Sequence, residues 1–305
     1  VADRWRIGVD WGTTRFRAYL IAPGGSIAAK KETDQGILAV PAGGFPAVLD
    51  SAVADWREAH PDAAIVAGGM VGSRQGWREV PYLSCPAGPD DIAGALVGIE
   101  AGALGTVRLV PGLVANDADG TPDVMRGEET QLVGAMARLG AGPHLVVLPG
   151  THSKWAAIDD ERIVSFATYM TGELFSVLRG HSILGRLMTE SRDDEAAFRR
   201  GLDTAARPSR NLLHDLFGVR TLGLFDEVPP ASLESYLSGL LIGTELAAAL
   251  GTLGADRPRS VLVVGGDALS MRYVRALAAH GIAAERLGEE VAALGLARIA
   301  SRAGI

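Results

Sequence analysis

At 305 residues the chain exceeds what one hydrophobic core usually supports, so two domains or one large α/β domain is expected. Hydrophobic residues make up 48% and charged residues 21%, which excludes a largely disordered chain. The net charge of -7 argues against nucleic acid as the main partner, and the single cysteine, Cys85, excludes an internal disulfide framework and a multi-cysteine zinc site.

The opening VADRWRIGVDWG has no basic-then-apolar leader, so a reduced cytoplasm is the expected location. Residues 4–10 read as a strand ending in Asp10, and Trp11-Gly12-Thr13-Thr14 as a tight turn. Residues 15–22 alternate, with Phe16, Ala18 and Leu20 on one face, and Pro23-Gly24-Gly25 turns the chain into a third strand at 26–32. Val48, Leu49, Ala52, Val53 and Trp56 fall at helical spacing, ended by His60-Pro61. Residues 64–67 form a short buried strand running into Gly68-Gly69-Met70-Val71-Gly72. Residues 106–110 read as another strand, and 126–139 as a helix.

At Gly140-Ala141-Gly142-Pro143 there is a seam, after which a similar plan restarts. Residues 144–148 are a strand, Pro149-Gly150-Thr151-His152-Ser153 a turn, 154–158 a strand and 162–167 a third. A shift of 138 positions lays Gly12 on Gly150, Thr13 on Thr151 and Ala18 on Ala156, which suggests an ancient duplication. A helix follows from Thr171, whose hydroxyl is a candidate cap, and 191–225 reads as short helices. The longest apolar stretch, 236–255, carries Glu245 at its centre. An acid there favours a buried helix, placed at 233–253, over a membrane span. Residues 260–264 are an apolar strand entering Gly265-Gly266-Asp267, and helices at 270–280 and 289–303 close the chain. Strands alternating with helices mean α/β with a largely parallel centre in each half.

Common catalytic signatures are absent: no Gly-x-x-x-x-Gly-Lys-Ser/Thr, no Gly-x-Gly-x-x-Gly, no Gly-x-Ser-x-Gly and no His-Glu-x-x-His. Three glycine turns at strand ends remain. In Asp10-Trp11-Gly12-Thr13-Thr14-Arg15, glycine lets backbone amides approach an anion, hydroxyls add donors, and the acid can hold hydrated magnesium. Leu148-Pro149-Gly150-Thr151-His152-Ser153-Lys154 repeats glycine, hydroxyls and a cation. Val263-Val264-Gly265-Gly266-Asp267 offers bare backbone against which a flat ring can lie. Each is also readable as a plain turn; their order and spacing together argue for a nucleotide site.

These turns resemble the two phosphate motifs and the adenosine motif of the actin-like superfamily. More narrowly, GVDWGTTRFRAYL, GGMVGSRQGW, DVMRGEETQLVGA, LPGTHSKWA and TGELFSVLRGHSILG resemble the 2-dehydro-3-deoxygalactonokinases. The resemblance implies two ribonuclease-H-like (actin-like ATPase) domains flanking a nucleotide cleft, at 1–140 and 141–305, with the last helix crossing back to the first. It implies phosphorylation of 2-dehydro-3-deoxy-D-galactonate on its terminal hydroxyl, with ATP and Mg2+. Asp10 would hold the magnesium through water, and Gly12, Thr13 and Thr14 would meet the γ-phosphate. Gly150, Thr151 and Lys154 would face the β/γ-phosphates, and Gly265, Gly266 and Asp267 the adenosine.

For the general base, Asp123 fits best as an aspartate ahead of a helix, with Glu128 and Asp117 as rivals. Read without that role, Asp123 is a helix cap, and Glu128 and Glu129 form a solvated first turn. Arg15, Arg74 and Arg126 are candidates for the substrate carboxylate, with Ser73 as a further donor. The expected partners are the sugar acid and ATP, with no nucleic acid and no membrane, and a homodimer as the candidate assembly. Alternatives are a kinase of another sugar acid or hexose on the same fold, and a non-kinase actin-like ATPase.

Overall fold

The computed structural model describes residues 4–208, 211–252, 258 and 260–305. Its chain divides into two units. The first takes Val1–His144, Ala156–Phe166 and Leu287–Ile305, and the second Leu145–Trp155 and Ala167–Arg286.

The first unit opens with strands β1 (Arg6–Trp11), β2 (Phe16–Ile21) and β3 (Ile27–Thr33), then helix α1 (Phe45–Ala59) and strand β4 (Ala64–Gly69). There follow β5 (Leu83–Ser84), α2 (Pro89–Gly94), β6 (Val97–Glu100), β7 (Thr106–Leu109), β8 (Leu113–Asn116), β9 (Pro122–Met125) and α3 (Glu128–Ala135). The main sheet runs β3-β2-β1-β4-β7-β6, and β5-β8-β9 form a smaller one. β1 pairs antiparallel with β2 and parallel with β4, bringing Asp10 opposite Gly68 and Trp11 opposite Gly69. The period-2 alternation sorts the sheet's faces. Phe16, Ala18 and Leu20 of β2 pack with Leu49, Val53 and Trp56 of α1, whereas Tyr19 and Ile21 meet Ala293 and Ala297 near the C-terminus.

The second unit's sheet runs β12-β11-β10-β13-β14, from β10 (His144–Leu148), β11 (Ser153–Asp159), β12 (Arg162–Tyr169), β13 (Ser260–Val264) and β14 (Ala283–Leu287). Its helices are α4 (Thr171–His181), α5 (Glu195–Ala205), α6 (Leu212–Leu224), α7 (Leu233–Gly251) and α8 (Asp267–Ala279); α9 (Val291–Arg302) belongs to the first unit. β10 pairs parallel with β13 as β1 does with β4, so the strand orders β3-β2-β1-β4 and β12-β11-β10-β13 repeat, as the duplication requires.

Some boundaries differ from the sequence reading. The helix placed at 126–139 starts at Glu128, because Gly127 (φ 108°) breaks the chain direction and β9 occupies 122–125. Asp123 is therefore a strand residue opposite Ala115, not a helix cap. Thr171 is the first residue of α4 rather than its cap, which is Met170 with no side-chain bond. α8 begins at Asp267, three residues earlier than placed. Leu253, the last residue of the expected long helix, lies outside the described residues. Among the described residues no helix is long and apolar enough to cross a membrane.

Candidate active site

In the first unit the site is built at the carboxyl ends of the parallel strands β1 and β4, where open α/β sheets place their ligands. The turn after β1 is fixed through its carbonyls: Gly12, Thr13 and Thr14 accept from the amides of Ile37, Leu38 and Gly36. The amides of Thr13 and Thr14 donate to no backbone acceptor among the described residues, and both side chains are exposed. This is the geometry that suits an anion.

Asp10 is the last residue but one of β1 and lies beside Arg17, whose Nη1 donates to Asp10 Oδ2 at 3.2 Å. The same guanidinium reaches Glu32 at 3.2 Å and Glu289 at 2.7 Å, so one cation serves three acids. Burial pushes the Asp10 carboxyl above the ordinary aspartate value; Arg17 opposes this, while Glu289 and Glu32 reinforce it. A positive charge brought to this acid cluster is favoured. Arg15 is exposed and pairs with Glu32 at 3.2 Å, and Arg74 is exposed.

Next to this turn, Gly69 (φ 92°) and Gly127 approach so closely that a Cβ on Gly127 would lie 3.2 Å from Gly69 Cα. That contact brings the residues after Gly69 to the start of α3. Arg126 Nη2 donates to Val80 O at 2.7 Å and its guanidinium stacks over the Tyr82 ring, 4.3 Å from the centroid. Its Nε and Nη1 are buried without a partner, as is Ser73 Oγ. A Cβ on Gly72 would lie 3.0 Å from Arg126 Nη1, so glycine makes the room there. Unpaired buried donors of this kind cost free energy unless a ligand meets them.

Glu128 and Glu129 turn back on their own backbone. Glu128 Oε2 accepts from the Arg126 amide at 3.0 Å and Glu129 Oε2 from the Gly127 amide at 2.6 Å. Glu129 is wholly buried rather than solvated, with Oε1 unpaired; burial first, then Glu128, pushes its carboxyl up to about 8. Helix α9 packs closely on α3: Cβ atoms on Gly134 and Gly295 would lie 2.0 Å from Val291 O and 1.7 Å from Thr130 O, so the α3–α9 crossing admits only glycine. Asp123 is half-buried on β9. Asp117 caps its own turn, Oδ1 accepting from the amides of Asp119 and Thr121.

In the second unit the turn after β10 leads into a cavity of about 280 Å³. Gly150 and Thr151 form one wall. Thr171, Gly172 and Phe175 of α4 form another, and Gly172 sits so close to the turn that a Cβ would lie 2.3 Å from Gly150 O. Ser238, Leu241 and Ile242 of α7 and Leu269, Arg272 and Tyr273 of α8 complete it. Gly265, bare of side chain, lies beside Pro149, because the parallel pairing sets β10 and β13 side by side. Gly266 caps α8.

Two expected nucleotide contacts lie differently. Lys154 is buried and donates to Thr168 Oγ1 at 2.7 Å, away from the cavity lining. Asp267 is exposed at the start of α8 and pairs with Arg286. The sequence reading missed the α4, α7 and α8 residues of the cavity. Only Glu245, an acid inside an apolar run, signalled that something polar is built beneath them.

Known proteins share this architecture. The (R)-2-hydroxyglutaryl-CoA dehydratase component A of Acidaminococcus fermentans superposes with a TM-score of 0.55 at 12% identity, covering 99% of this chain and 100% of that one. The fold is that of the actin-like ATPases, as the sequence implied. A Sinorhizobium meliloti crystal structure carrying the 2-dehydro-3-deoxygalactonokinase name superposes with a TM-score of 0.89 at 38% identity, covering 97% of this chain and 98% of that chain. The 2-dehydro-3-deoxygalactonokinase of Escherichia coli (strain K12) is 36% identical over 275 residues, 90% of each chain. Residues 10–299 match the sequence profile of the 2-keto-3-deoxy-galactonokinases. The chain belongs to that kinase family.

Proposed function

We propose that this protein transfers the γ-phosphoryl group of ATP to the terminal C6 hydroxyl of 2-dehydro-3-deoxy-D-galactonate, a step of galactonate breakdown. The observation that carries this reading is the family match over residues 10–299, which takes in all three glycine turns and the Arg126-Gly127-Glu128 segment. A cytoplasmic location goes with it, since that is where ATP is supplied.

Phosphoryl transfer asks a protein for positioning and charge more than for covalent chemistry. The unengaged amides of Thr13 and Thr14 would receive the γ-phosphate, and Gly150 and Thr151 the β/γ-phosphates. The cavity beside Gly150 would take the adenosine, with Leu269 as an apolar wall and Gly265 and Gly266 as bare backbone. The donor set at the first turn, one carboxylate with two hydroxyls, fits Mg2+, a hard ion that keeps most of its water. Asp10 would hold that hydrated ion, and Mg2+ when bound neutralises charge on the phosphates. Arg17 would keep Asp10 aimed.

Arg126, with two buried unpaired donor atoms, would meet the substrate's carboxylate, and Ser73 would add a hydroxyl. Two acids stand near enough in sequence to serve as the base, Asp123 and Glu128. Geometry supports Glu128: it sits at the junction where Gly127 meets Gly69, whose neighbour across the sheet is Trp11. A coupled assay of ADP release over a panel of keto-deoxy sugar acids and hexoses tests the reading. Turnover on another acid or a hexose would move the substrate, and ATP hydrolysis indifferent to any acceptor would remove the kinase.

A further inference from the structure

Glu245 lies in the middle of α7, 3% exposed, between apolar neighbours such as Ile242, Leu246 and Ala249. A buried carboxylate is expensive, and stability alone is served as well by a packed aliphatic side chain. Its three partners come from different elements. Oε1 accepts from Ser153 Oγ at 2.7 Å and from Trp155 Nε1 at 2.6 Å, and Oε2 accepts from Tyr273 Oη at 2.6 Å. Ser153 ends the turn that begins at Gly150, Tyr273 is a wall of the cavity on α8, and Glu245 stands one helical turn from the cavity residues Leu241 and Ile242. One carboxylate therefore ties together the glycine turn, α8 and α7. An acceptor-only group is the chemistry that three converging donors require.

We infer that Glu245 is a positioning residue for the nucleotide: it fixes the distance between the phosphate-facing turn and the adenosine-facing helix, and so sets ATP affinity without touching ATP. The inference rests on the placement of ATP proposed above. Glu245→Gln replaces one acceptor oxygen with a donor amide that faces donors. Tyr273→Phe removes the hydroxyl that meets Glu245 and also interacts with Ser153 and Thr171, and Ser153→Ala removes the hydroxyl that meets Glu245; both keep the carboxylate itself.

The test titrates ADP into the purified full chain by calorimetry and measures KM for ATP and for the sugar acid separately. Glu245→Gln should weaken ADP binding and raise KM for ATP about tenfold or more, and Tyr273→Phe and Ser153→Ala by about three- to tenfold. KM for the sugar acid should stay within about twofold in all three. Combining Glu245→Gln with Tyr273→Phe should add less than the two effects in sequence, because both act on one network. Wild-type chain that fails to bind ADP would overturn the functional reading. Wild-type that binds ADP while folded Tyr273→Phe and Ser153→Ala bind it equally well would overturn the inference alone. So would a Glu245→Gln protein whose two KM values rise together. If Glu245→Gln does not fold, Tyr273→Phe and Ser153→Ala decide.

Discussion

Replacing Glu129 with glutamine isolates the most perturbed acid of the first unit. The carboxyl is wholly buried, one oxygen accepts from the Gly127 amide at 2.6 Å, and the other has no partner. Burial, reinforced by Glu128, raises its pKa from 4.5 to about 8. An acid raised on folding keeps its proton in the folded chain over a range where the unfolded chain has already released it. Stability from this group is therefore full below pH 4.5, falls as pH rises, and levels off above about pH 8. At about 1.4 kcal/mol per pH unit the whole window corresponds to about 5 kcal/mol, most of which is lost by pH 7. Glutamine keeps an acceptor for Gly127 and does not titrate. Urea unfolding of wild type and Glu129→Gln at closely spaced pH values should show the difference between them growing in favour of the variant, by about 4 kcal/mol from pH 5 to pH 8. Other titrating groups cancel in that difference. A difference that stays constant across the range would show that Glu129 is already ionised in the folded chain.

Asp10→Asn should leave the fold intact and collapse turnover by at least about a hundredfold, because an amide holds hydrated magnesium poorly; near-normal turnover in the folded variant refutes the role of Asp10. The base should reveal itself by a loss of about 10²–10⁴ in kcat with ADP binding unchanged. Glu128→Ala and Asp123→Ala measured side by side assign it to whichever acid shows that loss, and two active variants would leave neither in the role. Arg126→Lys keeps the charge but loses the stack on Tyr82 and the planar fork. It should raise KM for the sugar acid about tenfold or more with KM for ATP unchanged, and an unchanged sugar-acid KM would mean that another group binds the carboxylate.

The two glycine turns were legible because each is bounded by local signals: an apolar strand, a glycine, then hydroxyls. The repeated strand-turn-strand plan was legible from the same short patterns. The start of α3 was not, since Glu128-Glu129-Thr130 continues a helical pattern backwards over residues that pair as β9. What stops the helix is the positive φ of Gly127, which the sequence marks only as one more glycine. Glu129 reads as a solvated residue of a first turn, but it is wholly buried, on a helix that packs through Gly134 and Gly295 against α9, more than 160 residues further along. The cavity walls were hidden for a similar reason. Thr171, Ser238 and Tyr273 become neighbours only through tertiary packing, and the partners of Glu245 lie 92, 90 and 28 residues away.

The reaction proposed for this chain is phosphorylation of a keto-deoxy sugar acid at its terminal hydroxyl. The most direct measurement incubates the purified protein with ATP, Mg2+ and 2-dehydro-3-deoxy-D-galactonate, and follows ADP release together with phosphorus and carbon magnetic resonance of the product. ADP should form one-for-one with a phosphomonoester on C6, with no ADP release without the sugar acid. ATP consumption that does not depend on the sugar acid, or a phosphate attached at any other carbon, would contradict it.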